Sequence, residues 1–296
     1  MSIGLDPTYV LEKSPEPAIS WKQYQRILES EWGALLNSRP TPTERSVQCF
    51  LEKHPAMLPG AFNITGNESG HSPSYDAVIT QAVLPSYNAR IPDFLWISRN
   101  SAEVQPVLIE IEAPSKKWFT ANGLPTANYT QAMNQISDWK AWFNVPHNVE
   151  AFQSFYGLER ENWRRRRFRP AYVLIYGRRS EADASPDTTS RRSVGNADDI
   201  ATMTYDRLEP NPKAEQLICI RKERSGRYKA VSVPPTLMLG PTYADTRAQI
   251  TGLEGAVRDN ALISPVRKAF LLRRLPYWND WVASGKGGVI RTSDEE

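Results

Sequence analysis

Two stretches of the chain alternate apolar with other residues at the two-residue period of a strand, Ile91-Pro92-Asp93-Phe94-Leu95-Trp96-Ile97 and Val107-Leu108-Ile109-Glu110-Ile111-Glu112-Ala113-Pro114. A polar loop separates them, so a hairpin is the simplest connection. With Asn100-Ser101-Ala102-Glu103 as the loop, Arg99 opposes Val104 and Asp93 opposes Glu110. Directly opposed side chains have Cβ atoms about 5 Å apart. Glu112 shares the face of Glu110, and Val107, Ile109 and Ile111 make the other face wholly apolar. The acids are therefore expected to face a cleft and the aliphatic residues a core.

Helical periods flank this hairpin. Trp21, Tyr24, Ile27, Leu28 and Trp32 mark a helix between Ile19 and Leu36, after a proline-containing start. Thr41-Pro42-Thr43-Glu44 combines a capping box with proline in the first helical position and predicts a helix over 42–53, with Val47, Phe50 and Leu51 buried. Glu44 shares a face with Gln48 and Leu51, which aims it either at a capping role or at the carboxylates. Tyr75 to Leu84 reads as a first strand, and Thr126 caps a helix that runs to Phe143 and stacks Gln131 on Gln135. Strands follow at Ala171 to Tyr176, stopped by Gly177, and near Ile200 to Tyr205. A hairpin turns at Ser225-Gly226, either extending the sheet or forming an appendage. A helix from Ser264 to Leu275 precedes Trp278 and Trp281, and Thr292 to Glu296 reads as frayed. This order of elements suits a mixed central sheet.

Composition narrows the class. A chain of 296 residues can bury roughly 75% of its unfolded surface and needs no disulfide staple. Cys49 and Cys219 lack metal-site spacing, and His54, His71 and His147 show no paired ligand spacing. No signal peptide is recognisable, and no apolar run approaches the roughly 18 residues of a membrane span, so the expectation is a cytoplasmic protein without a membrane partner. The net charge is only +3, but Arg164, Arg165, Arg166 and Arg167 form one basic cluster and Arg178 and Arg179 another. Such clusters neutralise nucleic-acid phosphates, although solvated basic faces and ion-paired contacts look the same in sequence. Asp93, Glu110 and Glu112 crowded together repel one another unless a cation sits among them, and oxygen-only ligands select Mg²⁺, Mn²⁺ or Ca²⁺. The competing reading is a solvent-facing edge strand.

The motifs Glu44-Arg-Ser-Val-Gln48, Pro92-Asp93-Phe94, Ile109-Glu110-Ile111-Glu112-Ala113-Pro114, Gln131 to Trp139, Tyr176-Gly177-Arg178-Arg179 and Thr204 to Leu208 come in the order of the PD-(D/E)XK nuclease superfamily. Together, over roughly residues 41–210, they resemble the Shedu-type nuclease domain of bacterial anti-phage defence. The resemblance implies an α/β, restriction-endonuclease-like αβββαβ core with a mixed central sheet flanked by helices. Residues 1–40 then form an accessory helical segment and 211–296 a C-terminal hairpin and helical extension. It further implies Mg²⁺-dependent cleavage of DNA, with Mn²⁺ as substitute, and a homo-oligomer. In that scheme Asp93, Glu110 and Glu112 bind metal and Gln135 joins the catalytic site. Glu44 is a supporting acid and Arg164 to Arg167, Arg178 and Arg179 contact DNA. Glu112 stands where the superfamily usually has lysine, which leaves Lys116 or Lys117 to supply positive charge. The same substitution admits a catalytically silent module that binds nucleic acid or a partner as a sensor. A third alternative is an interaction protein whose acids serve only salt bridges.

Overall fold

The computed structural model describes residues 7–62, 64, 70–85, 91–159, 165–182, 196–285 and 296. Among these, nine strands form one mixed sheet. They are β1 (Ala77–Thr80), β2 (Phe94–Arg99), β3 (Glu103–Ile111), β4 (Arg167–Phe168), β5 (Ala171–Ile175), β6 (Ile200–Met203), β7 (Ile218–Lys222), β8 (Tyr228–Ser232) and β9 (Ile250–Thr251). The strand order is β6-β5-β3-β2-β1-β7-β8-β9, and the short β4 pairs with the start of β3. β1, β2 and β3 are antiparallel neighbours, whereas β5 and β6 add parallel to β3 and β7 adds parallel to β1. The fold is α/β, as the sequence predicts. The C-terminal hairpin β7–β8 extends the sheet and is no separate appendage.

Helices cover both faces. α1 (Trp21–Leu36) and α2 (Glu44–Lys53) pack their apolar stripes on one face, where Val47 and Leu51 meet Phe94, Trp96, Val107, Ile109 and Ile111. α1 begins with a capping box between Ser20 and Gln23. For α2 the structure shifts the expected start: Thr43, and not Thr41, caps the helix by accepting from the Ser46 N–H, and Glu44 is its first residue.

The other face carries α3 (Ala127–Phe143), capped by Thr126, and α4 (Pro146–Phe155). Their side chains Ile136, Trp139 and Phe152 join Leu95, Ile97, Leu108 and Leu174. α5 (Arg179–Ala182) is a single turn. α6 (Pro241–Arg247), α7 (Leu253–Asp259) and α8 (Pro265–Ala283) close the same layer over β7 and β8. α4, α6 and α7 escape a reading of the sequence because none is opened by a side-chain cap.

Helix α8 runs through Pro276 to Ala283, past the expected end at Leu275. Trp278 and Trp281 therefore lie on it, with ring centroids 5.8 and 5.7 Å from Tyr9 of the N-terminal segment. Glu296 is buried against Arg274 and Trp278, contrary to the frayed end expected there; residues 292–295 lie outside the described residues.

Candidate functional site

The β2–β3 register is the one the sequence predicts, from Phe94 opposite Ile109 to Arg99 opposite Val104. One expectation changes. β3 sits between β2 and β5, so it is a central strand buried on both faces and not an edge. Leu108, on the Glu110 face, is as buried as Ile109 on the other, and the acids stand towards the strand ends.

Asp93 lies just ahead of β2 and is fixed from two sides. Its Oδ2 accepts from the Ile111 N–H at 2.9 Å, and its backbone carbonyl accepts from the Gln81 N–H at 2.8 Å at the end of β1. Glu110 is only 8% exposed, and its Oε2 has no hydrogen-bond partner. The two carboxyl groups lie within hydrogen-bond reach of each other. Burial raises the pKa of both above the usual carboxylate range, and repulsion from Glu44 and Glu112 adds to it. The Ile111 N–H partly offsets this for Asp93.

Glu112 follows the end of β3, with its N–H donating to the Ile175 carbonyl at 3.1 Å. Its carboxylate pairs with the Lys116 ammonium. Glu44 approaches the same carboxylate from the first turn of α2. Its pKa is raised by burial and by Glu112, and Lys116 partly offsets the rise. The acids thus form two groups: Asp93 with Glu110, and Glu44 with Glu112 around Lys116. Lys117 is exposed, and its charge is felt by Glu181.

The loop that carries Lys116 is held by Gly177. This residue has φ +58°, and a Cβ added to it would lie 2.6 Å from Trp118 Nε1 and 2.9 Å from the Lys116 carbonyl. Only glycine allows both that backbone conformation and that approach. Tyr205, fully buried, donates its hydroxyl to the Glu112 carbonyl, and burial together with Asp93, Glu44 and Glu112 raises its pKa. It sits in the Thr204 to Leu208 motif, the one signal that points to it in the sequence. Gln48, one turn beyond Glu44, is buried with its Nε2 unpartnered.

Gln135 lies on α3 and lines a cavity of about 330 Å³ with Ile91, Gln131, Asn134, Asp138 and Trp139. Ile91 stands two residues before Asp93, so the structure brings Gln135 to the loop that leads into the carboxylates. The arginines part company. Arg178 donates to Asp206 Oδ1 at 3.0 Å and to the Leu36 carbonyl at 2.5 Å, tying α1 to the residues after β6. Arg179 is exposed, with its backbone N–H on Asp206 Oδ2 at 2.6 Å. Arg165 and Arg167 are exposed and Arg166 half-buried, beside the start of β3, where Arg167 opposes Glu103. Arg164 lies outside the described residues.

Residues 41–208, more than half of the chain and the segment that holds Glu44, Asp93, Glu110, Glu112 and Tyr205, match the family described as Shedu protein SduA, C-terminal. The chain belongs to the Shedu family. The Shedu domain is a component of anti-phage defence. No curated protein matches the chain. The matched segment begins just before α2 and ends just after Tyr205, so it spans the elements that build the carboxylate site and omits α1 and the β7–β9 extension.

Among the described residues, no group of three or more His, Cys, Asp or Glu side chains is arranged to hold a metal ion. Glu112 is turned to Lys116. Asp93 and Glu110 do fit one: an orphaned buried oxygen and two mutually repelling carboxylates are what a hard divalent ion relieves. No helix among the described residues is long and apolar enough to cross a membrane.

Proposed function

We propose that this Shedu domain hydrolyses phosphodiester bonds of DNA in a Mg²⁺-dependent reaction, in anti-phage defence. The observation that carries this reading is the pair Asp93 and Glu110, buried together with Glu110 Oε2 unsatisfied at the end of a rigid central hairpin. These two residues would hold the ion. When bound, Mg²⁺ polarises a phosphate oxygen and lowers the pKa of water.

The remaining steps belong to the chain's own groups. Lys116 brings positive charge beside the carboxylates, the task of the superfamily's lysine, although it starts four residues later in sequence. Glu112, held by Lys116 and through its carbonyl by Tyr205, is placed to accept a proton from attacking water. Glu44, whose pKa is raised by burial and by the neighbouring Glu112, stands beside it as a partner for that proton. Gln135 and its neighbours on α3 line the approach to the Asp93 loop and offer amide groups to DNA.

The deciding experiment is cleavage of linear and circular, single- and double-stranded DNA with Mg²⁺, Mn²⁺ or EDTA, beside Asp93→Asn and Glu110→Ala. Metal-dependent cutting that both variants lose supports the reading. DNA bound but never cut would replace it with a silent sensor module, the alternative that Glu112 in place of lysine favours.

A further inference from the structure

Glu52 is a buried carboxylate outside both groups of acids. It lies two turns beyond Glu44 on α2 and is 7% exposed. Its Oε1 accepts from the hydroxyl of Thr80, the last residue of β1, at 2.7 Å. Its backbone carbonyl accepts from the Ser232 hydroxyl on β8, and Arg221 on β7 approaches Oε1 at 3.7 Å. Three strands therefore meet at one residue, and two of them, β7 and β8, lie beyond the segment 41–208 that matches the family.

Fold stability does not account for a carboxylate here. Arg221 stands beyond hydrogen-bond distance and its side chain is nearly half exposed, so the pair is weak. Burying a charge is costly, and an apolar side chain of like volume commonly serves a core as well or better. What the carboxylate does is take a proton. Thr80 is fully buried, with its hydroxyl between two acceptors, Glu52 Oε1 at 2.7 Å and the Asp93 carbonyl at 3.4 Å. A hydroxyl has one proton to give. Glu52 claims it, and the Asp93 carbonyl keeps the Gln81 N–H at 2.8 Å while Asp93 Oδ2 reaches the Ile111 N–H at 2.9 Å. Without an acceptor at position 52, the hydroxyl turns to the Asp93 carbonyl, which has a second lone pair to receive it. Closing 3.4 Å to an ordinary O–H···O distance moves the Asp93 backbone by about 0.5 Å, the tolerance of a preorganised site.

We propose that Glu52 is a positioning residue for Asp93: it holds the Thr80 proton away from the Asp93 carbonyl and so fixes where the Asp93 carboxyl group lies. Because Ser232 and Arg221 hold Glu52 in turn, the hairpin β7–β8 braces the acid end of the sheet. The placement of Asp93 is a matter of geometry and stands without the cleavage reading. Its consequence for a cation at Asp93 and Glu110 rests on that reading.

The test is amide hydrogen exchange of the full chain in EDTA, read at Ile111, whose N–H reports the Asp93 carboxyl group, and at Val173 within β5. In Glu52→Leu, Ile111 should exchange about tenfold faster or more and Val173 at the wild-type rate. Glu52→Gln keeps an acceptor for Thr80 and should exchange like wild type. The deciding protein combines Glu52→Leu with Thr80→Val and has no hydroxyl to release, so Ile111 should return to within about twofold of its wild-type rate. Glu52→Asp, which withdraws the acceptor by one methylene, takes the place of Glu52→Leu should that variant not fold. Ile111 exchange that is unchanged in the single variant, or as fast in the double variant as in the single, overturns the proposal. Equal acceleration at Ile111 and Val173 marks a loss of stability alone and overturns it too. Mn²⁺ thermal shifts of the same proteins test the cation separately: the shift should shrink in Glu52→Leu and recover in Glu52→Gln. No shift in wild type would remove the cation and leave the exchange rates to decide the role of Glu52.

Discussion

The two ends of the β2–β3 hairpin share strands, register and burial yet carry opposite charge. At one end Asp93, Glu110 and Glu112 cluster with Glu44. At the other stand Arg99, Arg166 and, on β4, Arg167. The middle of the hairpin is apolar on both faces, with Phe94 to Ile97 and Val104 to Ile109 all but Gln105 and Pro106 in the two cores. About 23 Å of rigid, low-dielectric sheet separates charges that salt screens beyond about 8–10 Å. The ends therefore do not neutralise each other, and a salt-bridge role of these acids towards Arg165 to Arg167 is excluded by distance. Each end must find its counter-charge locally or from a ligand. The acid end answers partly with Lys116, and the basic end partly with Asp76.

The largest expected effect tests whether chemistry belongs to the acid end alone. Asp93→Asn keeps the volume and the acceptor for the Ile111 N–H but weakens the hold on a cation. Several kcal/mol of transition-state stabilisation corresponds to a fall in single-turnover cleavage rate of about a thousandfold. DNA affinity measured in EDTA should be unchanged. A variant cutting within tenfold of wild type removes Asp93 from the reaction.

Next in size is the support of that end. Gly177→Ala forces a Cβ into Trp118 and the Lys116 carbonyl at a positive φ. The expected cost is on the order of 1–3 kcal/mol from backbone strain, with overpacking in addition. Chemical denaturation measures it, and cleavage should fall by more than the loss of folded protein accounts for, because the Lys116 loop moves. An unperturbed melting curve would show that the loop is not held by this contact.

How far was this contrast legible in the chain? The hairpin register was, because a period of two residues fixes every pair once the loop is placed, and the loop residues Asn100 and Ser101 are plain. The helices capped by Thr126 and Ser264 were legible through their caps. The grouping of the acids was not. Nothing in the spacing tells that Lys116 folds back onto Glu112 while Glu110 is left with an unpartnered oxygen, since the loop path depends on Gly177, which follows β5 some sixty residues later. The position of Arg167 at the end of the hairpin away from Asp93 was hidden as well, because parallel pairing of β3 with β4 joins residues over sixty positions apart. Arg178 and Arg179 looked like Arg165 and Arg167 in sequence. Only the fold shows Asp206 taking the first pair.

A smaller effect concerns stability in the absence of metal, and it has opposite sign from the effect on activity. The pKa values of Asp93 and Glu110 are raised in the folded chain, so their contribution to stability is full below about pH 4, their unfolded range. It is lost as pH rises through the folded values. Glu110→Gln removes that loss. In EDTA the variant should melt higher than wild type at pH 8, by about 2–4 °C for each kcal/mol relieved, with the gap closing towards pH 5. Mn²⁺ should raise the melting temperature of wild type and not of the variant. A gap that does not change with pH would mean that the pair is not charged in the folded state over this range.

The smallest effect sharpens the basic end. Arg165 and Arg167 are exposed beside the start of β3, where each can neutralise one phosphate without touching the carboxylates. Replacing both by Gln should leave the single-turnover rate at saturating DNA unchanged and weaken binding a few-fold at low salt. The decisive readout is the slope of log affinity against log salt, which should fall by about 1 for each phosphate contact removed. A change in cleavage rate with an unaltered slope would place these arginines in the chemistry of the far end, which the buried length of the hairpin forbids for a rigid chain. An unaltered rate with a slope reduced by about 2 would assign the two ends separate tasks, grip at one and hydrolysis at the other, on a single pair of strands.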